Sequence, residues 1–127
     1  MATAEYYRLD CLERLAGRVF LANGGTAAGL AVALSVTQGT AENIRCSMRV
    51  DPRRPEPEAA ERVARTLWEQ EVGLGGDRLW NDARAAAIAL LQRRIAALPS
   101  DIAKTTGVLP VIRVVPATRP AAGRAAA

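Results

Sequence analysis

Residues 55–98 have the sequence PEPEAAERVARTLWEQEVGLGGDRLWNDARAAAIALLQRRIAAL. Apolar residues recur there at spacings of three and four, the period of an amphipathic helix. Pro57 suits the first turn of a helix, where its missing N–H costs no hydrogen bond. Three glycines within residues 73–76 interrupt the pattern and indicate a turn. The stretch therefore predicts an antiparallel helix pair, residues 57–72 and 78–98.

The second predicted helix has an apolar face wider than one neighbouring helix can cover. Asp77 is expected to be its N-cap, and Pro99 closes it. A helix that is apolar over so much of its circumference is central in its domain or contributes to an interface. The residues of this face are Leu79, Ala83, Ala86, Ala87, Leu90, Leu91, Ile95 and Leu98.

Trp68 and Trp80 lie on either side of the turn and are the largest side chains of the helix pair. Two placements are open for them. Both rings close the seam between the helices, or one is exposed as an anchor for a partner, a role in which tryptophan is enriched.

The N-terminal segment predicts one helix over residues 3–22, with Thr3 as N-cap. An apolar stripe includes Tyr6, Leu9 and Leu15, while Arg14 and Arg18 lie largely off it. Paired glycines at 24 and 25 end this helix.

Residues 26–50 admit two structures. Alternation of larger and smaller residues over 30–36, and again over 44–50, favours a β-hairpin at about residues 30–50. Residues 27–34 also suit an alanine-rich helix. The hairpin is the preferred prediction, which makes the expected fold class α+β, mainly α.

Residues 19–36 contain no charged side chain, and eighteen such residues reach the lower length limit of a membrane span. Asn23, Thr26 and three glycines dilute their hydrophobicity. Membrane insertion is the less favoured alternative.

The chain changes in character after the helix pair. Residues 1–98 are expected to form one domain, and residues 99–127 an extended arm. Two prolines punctuate a β-prone run in that arm, which restricts it to the edge of a sheet. The predicted docking residues of the run are Val111, Ile112, Val114 and Val115.

The net charge of +4 arises from sixteen arginines and one lysine against thirteen acidic residues. Arginine suits phosphate contact, but no basic run follows one face of a predicted helix. A DNA-reading role for the helix pair would place Arg78, Asn81 and Arg84 at the bases.

Histidine is absent, which removes the commonest general base and the commonest zinc ligand. Cys11 and Cys46 lie far apart in sequence and are expected to be buried free thiols. No catalytic, cofactor or metal motif is recognised, so a non-enzymatic protein is expected.

The alanine-rich core, the wide apolar face and the apolar arm together predict an assembly or adaptor protein. It would be a homo-oligomer or part of a larger particle such as a virion, placed in the cytoplasm or in that particle. The alternatives are a small nucleic-acid-binding regulator using residues 57–98 and a membrane-tethered accessory subunit.

Overall fold

The computed structural model describes residues 4–49, 53–54 and 56–102. Within these ranges the chain is mainly helical and contains no strand, which confirms the mainly α part of the predicted fold class. A further helical turn begins at Ser100. The principal helices are α1 (Ala4–Arg8), α2 (Cys11–Ala22), α3 (Ala27–Leu34), α4 (Gln38–Met48), α5 (Pro57–Val72) and α6 (Asp77–Ala96).

Helix α2 is the centre of the fold, because it contacts α3, α4, α5 and α6. Every residue from 15 to 22 is buried in it. At Gly17 an added Cβ would lie 3.4 Å from the side chains of Leu30, Leu34 and Ile44, so α3 and α4 approach α2 closely there. The wide apolar face had suggested a central α6, but α2 takes that position.

The predicted helix pair is present. Helix α5 has the predicted bounds, and Gly73 ends it with a φ of 72°, which glycine adopts without strain. Asp77 is the first residue of α6 rather than its N-cap, because Gly76 occupies the cap position. Both helices pack mainly on α2 rather than on each other.

The predicted β-hairpin is wrong, because residues 27–34 and 38–48 are the helices α3 and α4. Thr26 and Thr37 are their N-caps, and each side chain accepts a hydrogen bond from the backbone N–H three residues later. Both helices end at a residue in the left-handed region, Ser35 at φ 57° and Arg49 at φ 55°. These caps satisfy helix-end groups that a hairpin would have paired between strands.

The single N-terminal helix is also wrong in one respect, because residues 9 and 10 interrupt it. The Asp10 side chain accepts from the Glu13 N–H at 2.7 Å, and Glu13 Oε1 accepts from the Asp10 N–H at 3.0 Å. This reciprocal capping box starts a new helix, α2, at Cys11. The expected N-cap, Thr3, lies outside the described residues.

The uncharged residues 19–36 do not form one span. They are divided between the end of α2, a loop and the whole of α3. None of the helices in the described ranges has the length and apolarity needed to cross a membrane.

Both cysteines are free thiols, as expected, but they are not buried. Cys11 is partly exposed and Cys46 is exposed. Cys46 lies on the solvent-exposed side of α4.

Candidate interaction surface and the polar clusters around it

The two tryptophans contact each other in the core. Trp68 of α5 and Trp80 of α6 have ring centroids 6.0 Å apart, at an interplanar angle of 56°. They are 9% and 8% exposed. This is the first of the two placements that the sequence left open, and a role of either ring in partner contact stays a prediction.

The three residues proposed for DNA reading do not form one exposed set. Arg78 and Asn81 are exposed. Arg84, however, donates from Nε to Glu61 Oε1 at 2.5 Å and from Nη2 to Oε2 at 2.8 Å. Asn23 donates to the same carboxylate at 2.8 Å. The hydrogen bonds that Arg84 donates to Glu61 raise the pKa of Arg84, and this bidentate pair engages the guanidinium within the fold.

A buried arginine is the main polar feature that the sequence did not reveal. Arg18 is 2% exposed, and it donates to both oxygens of Glu71, at 3.2 and 2.7 Å. Arg14 adds a third contact to that carboxylate, from Nε at 3.0 Å. Tyr6 accepts from Arg18 at 3.1 Å and lies under the Arg14 guanidinium. Helical periodicity places both arginines off the apolar stripe of α2. Periodicity alone does not show that a residue distant in sequence pairs with them.

The same cluster joins three helices. Burial by itself would raise the pKa of Glu71, but the hydrogen bonds and charges of Arg18 and Arg14 outweigh burial and lower it. The carboxylate is therefore ionised near neutral pH and compensates the buried charge of Arg18. It is the counter-charge that lets α2 carry an arginine at the centre of the fold.

Helix α1 is attached by a second carboxylate. Glu5 Oε1 accepts from the Thr37 N–H at 2.9 Å, from Thr37 Oγ1 at 2.7 Å and from Thr40 Oγ1 at 2.6 Å. These bonds lower the pKa of Glu5, with the Thr37 hydroxyl as the largest cause. An ionised side chain of α1 thus covers the first turn of α4.

Several large apolar side chains remain at the surface of the described chain. Leu74, in the turn before α6, is 61% exposed, and Leu79, in the first turn of α6, is 43% exposed. We call these two residues the turn surface. Leu79 belongs to the wide apolar face predicted for α6, of which Ala87, Leu90, Leu91 and Ile95 are buried. The other exposed apolar side chains are Tyr7, Val63 and Ile102.

Two concave sites on the described part of the molecule are shallow and of mixed charge. One, of about 390 Å³, lies where α5 and α6 meet and includes Glu58, Arg62 and Arg84. The other, of about 300 Å³, lies beside Met48 and Val63. Among the described residues, no group of three His, Cys, Asp or Glu side chains could bind a metal ion.

The arm residues Val111, Ile112, Val114 and Val115 lie outside the described residues. No protein-family model matches the chain, and no curated protein and no solved structure is significantly similar to it. The contacts above are therefore the basis for a functional assignment.

Proposed function

We propose that this protein is a non-enzymatic assembly or adaptor protein that associates with further copies of itself, as a component of a virion or a similar particle. The observation that carries the proposal is the turn surface. Leu74 and Leu79 are apolar, lie five positions apart in the chain and are both exposed. We take the two side chains to form one apolar patch, because contiguous exposed apolar surface marks protein interaction sites.

The occupant that we propose for the turn surface is the apolar arm of a second copy. The run from Val108 to Val115 supplies six aliphatic side chains within eight residues. Because the described residues offer no sheet edge, the arm would dock through its side chains rather than by adding a strand. This differs from the mode that the sequence had suggested.

The charge distribution supports protein contact over nucleic-acid contact. Ion pairs within the fold engage several of the arginines, including Arg84 of the DNA-reading set. The neighbouring Asp82 is exposed and would face the phosphates with Arg78 and Asn81. Nucleic-acid binding stays the alternative that the experiment below distinguishes.

The test is light scattering coupled to size exclusion on the full chain. We expect wild type to elute as a discrete oligomer without co-purifying nucleic acid. Val111→Asp with Val114→Asp should shift it toward monomer, because charges in an apolar contact oppose docking. The matched control places the same charges elsewhere in the arm, at Ala121→Asp and Ala125→Asp.

A second pair of variants tests the proposed receptor. Leu74→Glu with Leu79→Glu should dissociate the oligomer, whereas Thr66→Glu with Ala85→Glu, at exposed positions of α5 and α6, should not. A wild-type monomer at all concentrations would contradict the proposal. A monomer that carries nucleic acid would favour the alternative.

A further inference from the structure

Helix α1 is attached to the rest of the fold mainly by polar contacts at a few side chains. No residue of α1 itself is buried, and the helix has only five residues. Glu5 accepts hydrogen bonds from the start of α4, and Tyr6 accepts one from Arg18 of α2 while its partly buried ring packs against the core. Leu9, just after the helix, is the nearest buried apolar side chain.

The two helices that α1 contacts, α2 and α4, have N-terminal caps that do not depend on α1. Helix α2 has its own start, because Asp10 and Glu13 form a capping box independent of α1. Helix α4 has its own N-cap, because Thr37 Oγ1 accepts from the Thr40 N–H at 3.2 Å. Release of α1 would therefore leave the caps of both helices intact.

The groups beneath α1 are polar and concealed. Thr40 is fully buried, and Arg18 is 2% exposed. Three donors of the first turn of α4 converge on one carboxylate oxygen of Glu5. That geometry depends on the negative charge of Glu5, since three donors on one oxygen match an anion and exceed what a neutral amide oxygen accepts well.

We propose that α1 is a charge-dependent latch, closed across α4 and α2 while Glu5 is ionised and released when Glu5 is neutralised. Release would uncover Thr40, Arg18 and the donors of the first turn of α4. The device is independent of the proposed oligomer, because all of its contacts lie within one chain.

The charged groups around Glu5 are arranged so that the charge of Glu5 alone would control the latch. Arg8, on α1, is the charged group that acts on it, and Thr37 and Thr40 face it from α4 with uncharged hydroxyls. Further along α4, Glu42 and Arg45 pair with each other. From α2, Arg14 and Arg18 reach α1 through Tyr6 rather than through Glu5.

The test combines two readouts on the full chain. The first is amide hydrogen exchange at Thr37, whose N–H donates directly to Glu5. Its reference is the Gly29 N–H, which donates to Thr26 at the start of α3, away from the latch. In Glu5→Gln we expect exchange at Thr37 to rise roughly tenfold, with Gly29 unchanged, because a charge-assisted hydrogen bond is lost.

The second readout reports whether α1 moves. Iodoacetamide alkylation of Cys11, which directly follows α1, is measured against the exposed Cys46 of the same molecule. We expect the ratio to rise in Glu5→Gln and in Thr40→Val. It should stay at the wild-type value in Glu58→Gln, which removes a first-turn glutamate of α5 instead.

Two results would overturn the proposal. If the Thr37 amide is freed but the alkylation ratio is unchanged, Glu5 is a cap for α4 and α1 does not open. If Gly29 exchange and Cys46 alkylation rise together with the other two signals, the variant has loosened the whole fold.

Discussion

At the scale of single residues, Arg18 is the feature on which the stability of the fold depends, because it places a charged group at the centre of the fold. Its Nε has no hydrogen-bond partner among the described residues, so compensation comes through the two terminal nitrogens and Glu71. Removing the partner of a buried charge costs more free energy than formation of the ion pair contributed, because the remaining charge stays buried without compensation. The stability of the fold should therefore depend on the Glu71 carboxylate.

We predict that Glu71→Gln lowers the free energy of unfolding by about 3 kcal/mol, because it leaves Arg18 buried without a counter-charge. Urea denaturation followed by circular dichroism measures the change. The control is Glu42→Gln, whose partner Arg45 is partly exposed, and for which we expect a much smaller change because solvent screens the pair. Equal effects of the two substitutions would contradict a special role for the buried pair.

The acid dependence of stability follows from the same carboxylate. Because the pKa of Glu71 is lowered in the folded state, its contribution is complete above the ordinary value of 4.5 and is lost as the pH falls through the folded value. We predict a decline in unfolding free energy below about pH 5 that is shallower in Glu71→Gln. Denaturation across pH 3 to 7 measures it, and parallel curves for the two proteins would exclude Glu71 as a contributor.

At the scale of helices, the sequence predicted α5 to the residue, offered α3 only as the alternative to a hairpin, and missed α4. In α5, proline, glycine and a stripe of period 3.6 agree with one another. In residues 30–36 the alternation of leucine and valine with alanine has period two, yet alanine is small enough to suit either structure. Thr26 and Thr37 carried the decisive signal, because each precedes a helix that its side chain caps.

The candidate surface was predicted only in part, for a similar reason. The wide apolar face of α6 includes Leu79, but periodicity alone could not show which end of that face α2 would cover. The arginines show the same limit. The i,i+4 rule pairs Glu61 with Arg65, whereas the fold pairs Glu61 with Arg84 and Arg65 with Glu69.

Two glycines of the described helices and loops should respond oppositely to alanine. At Gly25 an added Cβ would overlap the buried ring of Phe20, so we predict that Gly25→Ala destabilises the protein by about 1–3 kcal/mol. At Gly39, in the first turn of α4, the nearest atom is 3.9 Å away. Gly39→Ala should therefore stabilise by about 0.4–1 kcal/mol. Thermal unfolding compares them, and a destabilising Gly39→Ala would show that α4 is not formed as described.

The end of α3 gives a further test of the helical structure of residues 26–50. Ser35 ends the helix with a φ of 57°, a region that glycine occupies at less cost than serine. We predict that Ser35→Gly raises the free energy of unfolding by about 0.5–1 kcal/mol. Ser47→Gly, within α4, should lower it instead. The hairpin would not give this difference in sign.

At the scale of the whole molecule, the central position of α2 predicts where the backbone is most protected. Amides in residues 15–22 should exchange with solvent at the rate of global unfolding, because four helices surround them. Amides of α1 should exchange fastest, since that helix buries none of its residues. Residue-resolved hydrogen exchange measures both, and slower exchange in α6 than in α2 would move the centre of the fold to α6.

The position of α2 in the chain also bears on how the protein is made. The salt bridge from Glu13 to Arg94 joins residues 81 positions apart, and it lies at the junction of α2 with α6. At a synthesis rate of ~5–20 residues per second, the ribosome adds those residues in about 4–16 s. Glu71 follows Arg18 by 53 residues and reaches it earlier, but the part of α2 that contacts α6 has no partner until the end of that interval. The exposed surface of α2 is prone to aggregation until α6 has been synthesised, so chaperones would have to protect it. Slow translation or scarce chaperones should therefore reduce the yield of folded protein more than its final stability would indicate.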